Sequence, residues 1–197
     1  LKPGDRTMAN VKTIIETARK SRNERGIAYL AAKDVAVLIR AALKKAFPAV
    51  KFSVRSDRNS MTVCWTDGPR SGQVLDICRQ FTFGGFDGSI DLEYISRNWL
   101  LPSGEMAAAE SRGTSGSMGH VKGYATDCPE PGAVLVDSNV KYISPVRELS
   151  PEYTEDLRKR TVARYGINDN GAESWRLYHD GETLDYWMRR TEELATA

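Results

Sequence analysis

Apolar and polar positions along the chain follow two periods. From Asn10 to Ser21, NVKTIIETARKS places Val11, Ile14, Ile15 and Ala18 at the i, i+3, i+4, i+7 spacing of one helical face, with Lys12, Arg19 and Lys20 off it. Asn10 is expected to cap this basic amphipathic helix and Gly26 to stop it. A second helix is predicted from Lys33 to Ala46, where Val35, Leu38, Ile39, Ala42 and Leu43 form one stripe and Arg40, Lys44 and Lys45 lie mostly off it. It ends before Pro48, because the residue ahead of a proline resists the helical conformation.

The period then drops to two. VKFSVR alternates Val50, Phe52 and Val54 against Lys51, Ser53 and Arg55, and MTVCW alternates Met61, Val63 and Trp65 against Thr62 and Cys64, so a hairpin turning at SDRNS is predicted. TDGP is a turn dictated by Gly68 and Pro69. Ser71 can cap a helix that carries Val74, Leu75, Cys78 and Phe81 on one side. After GGFDGS, the run IDLEYI reads as a third strand or a short extended segment. GAVLVDS and VKYISP predict two further strands with DSN as the turn between them. The expected class is α+β: a helix-strand-strand-helix core unit with added antiparallel strands and flanking helices.

Ser150 and Pro151 supply an N-cap and a first-turn proline for a helix reaching about Tyr165 and ending at Gly166. The last segment, Ser174 to Leu194, is rich in aromatics and is expected as two helical pieces broken at Gly181. Between these patterns, PSGEMAAAESRGTSGSMGHVKG carries Gly, Ser and Ala without a sustained period and reads as a mobile loop or hairpin. The expected organisation is a basic N-terminal helix over 1–27, an α/β unit over 28–96 and a flexible connector over 97–123. Strands and C-terminal helices over 124–197 are expected to pack on the same core. Residues 1–7, ahead of Met8, carry no fold argument.

Composition narrows the classes. With 41% hydrophobic and 27% charged residues, neither a disordered nor a fibrous chain is indicated. No apolar run approaches the roughly 18 to 20 residues of a spanning helix. Cys64, Cys78 and Cys128 are an odd set at wide spacing without CxxC, which suggests neither a disulfide framework nor a zinc site and fits a reducing, cytoplasmic setting in a host cell. The net charge of +2 hides an asymmetry: residues 1–55 hold 13 Lys and Arg against 4 Asp and Glu, a net +9 that leaves −7 for the rest. Such polarity suggests an anionic partner for the N-terminal part, or a solvated basic face.

Candidate chemistry is sparse. GTSGSMGH lacks the Gly-Lys-Ser/Thr ending of a phosphate loop. His120 and His179 lie far apart, and no metal or cofactor site is expected. Asp67, Asp87 and Asp91 are candidate carboxylates, but general acid-base work needs a cleft and unequal environments that spacing does not supply. The more economical reading of FGGFDGSID is structural: Asp87 and Ser89 bond neighbouring backbone amides, Gly85 and Gly88 supply positive φ, and Phe86 and Ile90 anchor the turn in the core.

The passage KKAFPAVKFSVRS, the turn WTDGP and the closure FDGSID, in that order, resemble the family called large polyvalent protein associated domain 29, over roughly residues 28 to 95. That resemblance implies an accessory part of a protein of a phage, plasmid or conjugative element, of the kind thought to protect or establish incoming DNA. It carries no catalytic residue set. The expected function is a non-enzymatic accessory protein of a mobile element that binds a host defence or DNA-processing component, in the manner of an anti-restriction or anti-CRISPR protein, through protein or nucleic acid. Lys12, Arg19, Lys20, Lys44, Lys45, Lys51 and Arg55 are the expected electrostatic contacts. Two alternatives remain: a metal-assisted enzyme on a phosphate-bearing substrate using Asp67, Asp87 and Asp91, and an interaction module whose Trp175 and Trp187 bury against a partner or a second copy. Both tryptophans docking the last helix is the bland reading of the second.

Overall fold

The computed structural model describes residues 3–111, 114, 120, 122–123 and 127–195, with the side chains of 3–8 left aside. Two units divide the chain, Leu1–Arg147 and Glu148–Ala197.

In the first unit, α1 (Pro3–Lys20) buries Val11, Ile15 and Ala18, the stripe its spacing predicts. It starts well before Asn10, which is therefore an interior helical residue and not the cap. It also ends at Lys20, ahead of Gly26, whose φ of +74° serves a separate turn in which Asn23 Oδ1 accepts the N–H groups of Arg25 and Ile27. A side-chain turn there satisfies the backbone without prolonging the helix. After the short strand β1 (Ala28–Tyr29) comes α2 (Ala32–Ala46), with Val35, Ala36, Leu38, Ile39 and Leu43 buried and its last turn stopping short of Pro48.

The expected hairpin follows as β2 (Ser53–Asp57) and β3 (Ser60–Thr66), antiparallel, with Asp57 opposite Ser60. Val54, Met61, Val63 and Trp65 face the core. Next comes α3 (Ser71–Cys78), completing the helix-strand-strand-helix unit. Its cap is at Arg70 and not at Ser71: the Gln73 side chain accepts the Arg70 N–H at 2.9 Å, so Ser71 is already helical. A 3-10 turn over Arg79–Phe81 carries Phe81 into the core.

The remaining strands sort into separate sheets. A two-stranded hairpin, β4 (Gly84–Asp87) with β5 (Leu92–Ile95), stands by itself. The strands β6 (Asn98–Leu100) and β7 (Met106–Ala108) fall where a connector was expected and build a four-stranded sheet in the order β1-β8-β6-β7, where β8 is Val134–Asp137. That β1–β8 pairing is parallel, so the added strands are not all antiparallel. The strand β9 (Tyr142–Glu148) joins β2 and β3 in the order β2-β3-β9. DSN is therefore not a hairpin turn but a crossing between sheets, held by Asn139 Nδ2 donating to the Arg58 carbonyl at 2.8 Å and Lys141 N–H donating to the Asn59 carbonyl at 2.8 Å. Each end of the crossing finds a different partner, which local alternation cannot reveal.

One core spans this unit, joining α1, α2, α3 and both larger sheets. The turn between β6 and β7 reaches it directly. Gly104, at φ +87°, is buried, and a side-chain carbon there would lie 2.7 Å from Val11 Cγ1. Much of the Gly-rich segment GTSGSMGH expected to be mobile lies outside the described residues.

In the second unit, α4 (Pro151–Tyr165) begins on Ser150, whose Oγ accepts the Tyr153 N–H at 3.1 Å, and ends at Gly166 with φ +64°. Both signals act as the sequence predicts. The first half of the aromatic segment is not helical: a 3-10 turn over Ser174–Arg176 leads into the hairpin β10 (Tyr178–His179) and β11 (Glu182–Thr183), turning on Asp180 and Gly181 with φ of +49° and +81°. Two successive left-handed residues are what a tight hairpin demands, so Gly181 makes a turn and does not interrupt a helix. After it, α5 (Leu184–Leu194) starts on Thr183. Leu157, Ile167, Leu177, Leu184 and Met188 form this unit's own core. Inside it, the Thr161 and Thr191 hydroxyls lie 3.0 Å apart, and each donates to a carbonyl one turn back, Leu157 and Trp187.

Candidate functional site: an acid-pinned hairpin with an apolar surface

Asp87 closes β4. Its Oδ1 accepts the Ser89 N–H at 3.0 Å and the Ser89 hydroxyl at 2.6 Å, and its Oδ2 accepts the Thr114 N–H at 2.6 Å and hydroxyl at 2.8 Å. The hydroxyls of Ser89 and Thr114, which stabilise the ionised form, hold its pKa down at about 2. A carboxylate saturated by donors and this acidic is a poor general base. The structural reading of Asp87 therefore has the geometry it requires.

Other parts of that reading are corrected. Gly85 and Gly88 do not carry positive φ; Asp91 does, at +54°, so the left-handed step falls to a residue type that tolerates it. Gly84 is needed for close approach to backbone instead, and Gly85 gives room to a neighbouring side chain. A side-chain carbon at Gly84 would meet the Tyr94 carbonyl oxygen at 2.6 Å, and one at Gly85 would meet the Tyr94 Oη at 2.8 Å. Phe86 and Ile90 are not core anchors: they are 57% and 54% exposed, with Leu92 at 60% and Ile95 at 68%. Four large apolar side chains thus stand in solvent on one small hairpin. The hairpin is tied down by Glu93, which takes an ion pair from Lys141 at 2.9 Å and a hydrogen bond from the Tyr142 hydroxyl at 3.2 Å. Those contacts hold the Glu93 carboxyl below its ordinary value.

Sequence reasoning missed this surface because IDLEYI was read by alternation, which assigns Ile90, Leu92 and Tyr94 to an inner face. The signal available was Ile95, apolar on the opposite phase, together with the adjacent Gly84 and Gly85, which offer a facing strand no side chains to pack.

The other acids stand apart in role. Asp67, with φ +55°, and Gly68, with φ +59°, form a left-handed pair in the WTDGP turn, whose carbonyls accept Arg147 Nε at 3.1 Å and Nη2 at 2.9 Å. Trp65 Nε1 donates to the Pro69 carbonyl across the same turn at 2.9 Å. Among the described residues, no group of three or more His, Cys, Asp or Glu is placed to hold a metal ion.

The seven basic residues divide by what they already hold. Arg19 donates to the Gly132 carbonyl at 2.7 Å, Lys45 pairs with Glu105 at 2.8 Å and Lys44 bonds the Pro48 carbonyl. All seven are exposed. Of the two tryptophans, Trp175 is 53% exposed with the Arg176 guanidinium 4.4 Å from its ring centre. Trp187 is partly buried: its Nε1 donates to the His179 carbonyl at 2.9 Å, and its ring packs 4.6 Å from that of Tyr165.

The chain matches the family large polyvalent protein associated domain 29 over residues 30–150 and belongs to it. The match runs beyond the stretch that carried the resemblance, through β6, β7, β8 and β9. Neither a curated protein nor a solved structure matches the chain. Membership makes it a domain of the mobile-element accessory type. Among the described residues, no helix is long and apolar enough to cross a membrane.

Proposed function

We propose that this is a non-enzymatic accessory protein of a phage or another mobile element that binds a host defence or DNA-processing component, in the manner of an anti-restriction or anti-CRISPR protein. The contact is with protein, through the β4–β5 hairpin. The observation that carries this is the exposure of Phe86, Ile90, Leu92 and Ile95 within ten residues of chain. By register Phe86 and Ile95 share one face of the hairpin and Leu92 lies on the other, so the apolar groups are exposed on both sides of one short element; such groups are costly in water and favour burial against a partner. Contact with nucleic acid is the second reading, supported by the net +9 of residues 1–55; the surface contacts that Arg19, Lys44 and Lys45 already make compete with it only weakly.

The test is a pulldown from host extract, with and without nuclease, comparing the native chain with a Phe86→Ser, Ile95→Ser variant. A protein partner that survives nuclease and is lost with the variant supports the hairpin. Retention that nuclease abolishes, or that the variant leaves intact, overturns it. The enzyme alternative is addressed by Asp87→Asn: a folded but inactive protein in a phosphate-ester hydrolysis assay would favour chemistry.

A further inference from the structure

The sheet β1-β8-β6-β7 turns Asn98 and Leu100 toward the core, so alternation places Trp99 on its other face. There, opposite Leu135 in register, Trp99 lines a cleft of about 450 Å³ together with Arg22, Arg25, Arg97 and Glu110. A larger cleft of about 810 Å³ adjoins it and shares Arg25, Arg97 and Glu110. These volumes are in the range of small-molecule sites, about 300 to 1,000 Å³.

The donors in the smaller cleft are oriented and under-used. Arg22 donates its Nε to the Arg19 carbonyl at 3.0 Å, which holds its guanidinium beside the end of α1. Arg25 is held at the backbone by Asn23 Oδ1 at 2.9 Å, and its side chain has no hydrogen-bond or ion-pair partner among the described residues. Arg97 spends Nε and Nη2 on Glu110, with Nε at 2.8 Å, and keeps Nη1 uncommitted. The Trp99 indole N–H is buried and finds no acceptor among the described residues, on a residue only 9% exposed that lines the cleft. An orphaned buried donor is an energetic cost that a native structure ordinarily removes with a partner, protein or otherwise. Within the smaller cleft three guanidinium groups face the one carboxylate of Glu110, a net +2, while the adjoining cleft adds the carboxylates of Glu24 and Asp137 and so favours an anion seated in the smaller one.

We propose that this cleft binds a phosphomonoester with a compact apolar or aromatic body. A phosphomonoester carries close to two negative charges at neutral pH, matching the net +2, and its oxygens accept from forked guanidinium groups. Ala109 and Leu135 offer the apolar wall for the ester group. No residue of β4 or β5 lines the smaller cleft, so the site does not rest on the proposed hairpin contact, although Ile95 of β5 lines the adjoining larger cleft.

The experiment is calorimetric titration of the full chain with phenyl phosphate and adenosine monophosphate at constant ionic strength, with chloride as the balancing anion. Saturable binding is expected, weakening below about pH 6 as the phosphate gains its second proton. Arg25→Gln should weaken it roughly tenfold and Trp99→Phe, which keeps an aromatic ring but removes the N–H, by about fivefold. Circular dichroism establishes that both variants are folded. A 5′-phosphorylated oligonucleotide that binds where its 5′-hydroxyl counterpart does not assigns the phosphate to a nucleic-acid end, whereas binding of the monophosphate alone assigns it to a free small molecule. No binding up to about 10 mM phosphate ester, or binding that Arg25→Gln leaves unchanged, overturns the proposal.

Discussion

Gly104→Ala is the substitution whose cost the fold specifies most directly. Gly104 sits in the turn between β6 and β7, donates its N–H to the Leu101 carbonyl at 2.9 Å and holds φ at +87°. Two penalties follow for any side chain there. The left-handed half of backbone space costs an L residue roughly 1–2 kcal/mol. The new carbon would also stand 2.7 Å from Val11 Cγ1 and 3.8 Å from Leu38 Cδ2. Val11 is 1% exposed and cannot swing into solvent, so the turn must lift from α1, an overpacking cost of roughly 1–3 kcal/mol. The sum is about 2–5 kcal/mol. Gly26→Ala is the matched control: its φ is +74°, yet nothing lies within 4 Å of the added carbon, so only the backbone cost of about 1–2 kcal/mol applies. Urea unfolding of both variants, followed by far-ultraviolet circular dichroism, isolates the steric part as their difference. Equal losses within about 0.5 kcal/mol would refute the packing of this turn against α1.

Other consequences are as direct. Asp87 has its pKa lowered from 3.8 to about 2, so the folded state binds its proton less readily than the unfolded one; the stability it contributes is present above about pH 4 and is lost as pH falls through 2. A carboxyl NMR titration should place its midpoint near 2, and a midpoint at the ordinary value would remove the Ser89 and Thr114 bonds from the account. Burial pushes the Cys78 thiol up to about 12, whereas Cys128 is exposed, so a thiol reagent at pH 8 should label Cys128 in the native chain and Cys78 only on unfolding; rapid labelling of Cys78 under native conditions would contradict its burial. Leu184 is fully buried in the small core of the C-terminal unit, and Leu184→Ala should destabilise that unit by about 2–5 kcal/mol, read from the Trp187 environment by near-ultraviolet circular dichroism. A change below 1 kcal/mol would mean that this core is not packed as described.

Where neighbours in sequence were also neighbours in space, residues predicted structure closely. The helical stripe of α2, the β2–β3 hairpin and the Ser150 to Gly166 limits of α4 each rest on bonds or periods spanning a few residues, so local chemistry sufficed. The motifs KKAFPAVKFSVRS, WTDGP and FDGSID identify the family for the same reason, being local sets of turn and core residues in fixed order. The acid Asp87 was legible as a turn former through its nearest donor, Ser89; the second half of its bonding, Thr114, lies 27 residues away and was not.

Tertiary structure alone decided which strands pair and which apolar residues face water. Alternation states that a strand has two faces, not which face is covered, and β5 shows the consequence: Leu92 and Ile95 are both outside because β4 and β5 pair only with each other. The connector at 98–108 became two strands because Leu100 and Met106 find a core built by α1, α2 and β8, segments remote in sequence. The N-terminal charge was written in composition, but whether a given cation is available depended on partners such as Gly132 for Arg19 and Glu105 for Lys45, which only folding brings within reach. Composition and short-range pattern determine elements and family; long-range pairing determines which residues form the surface.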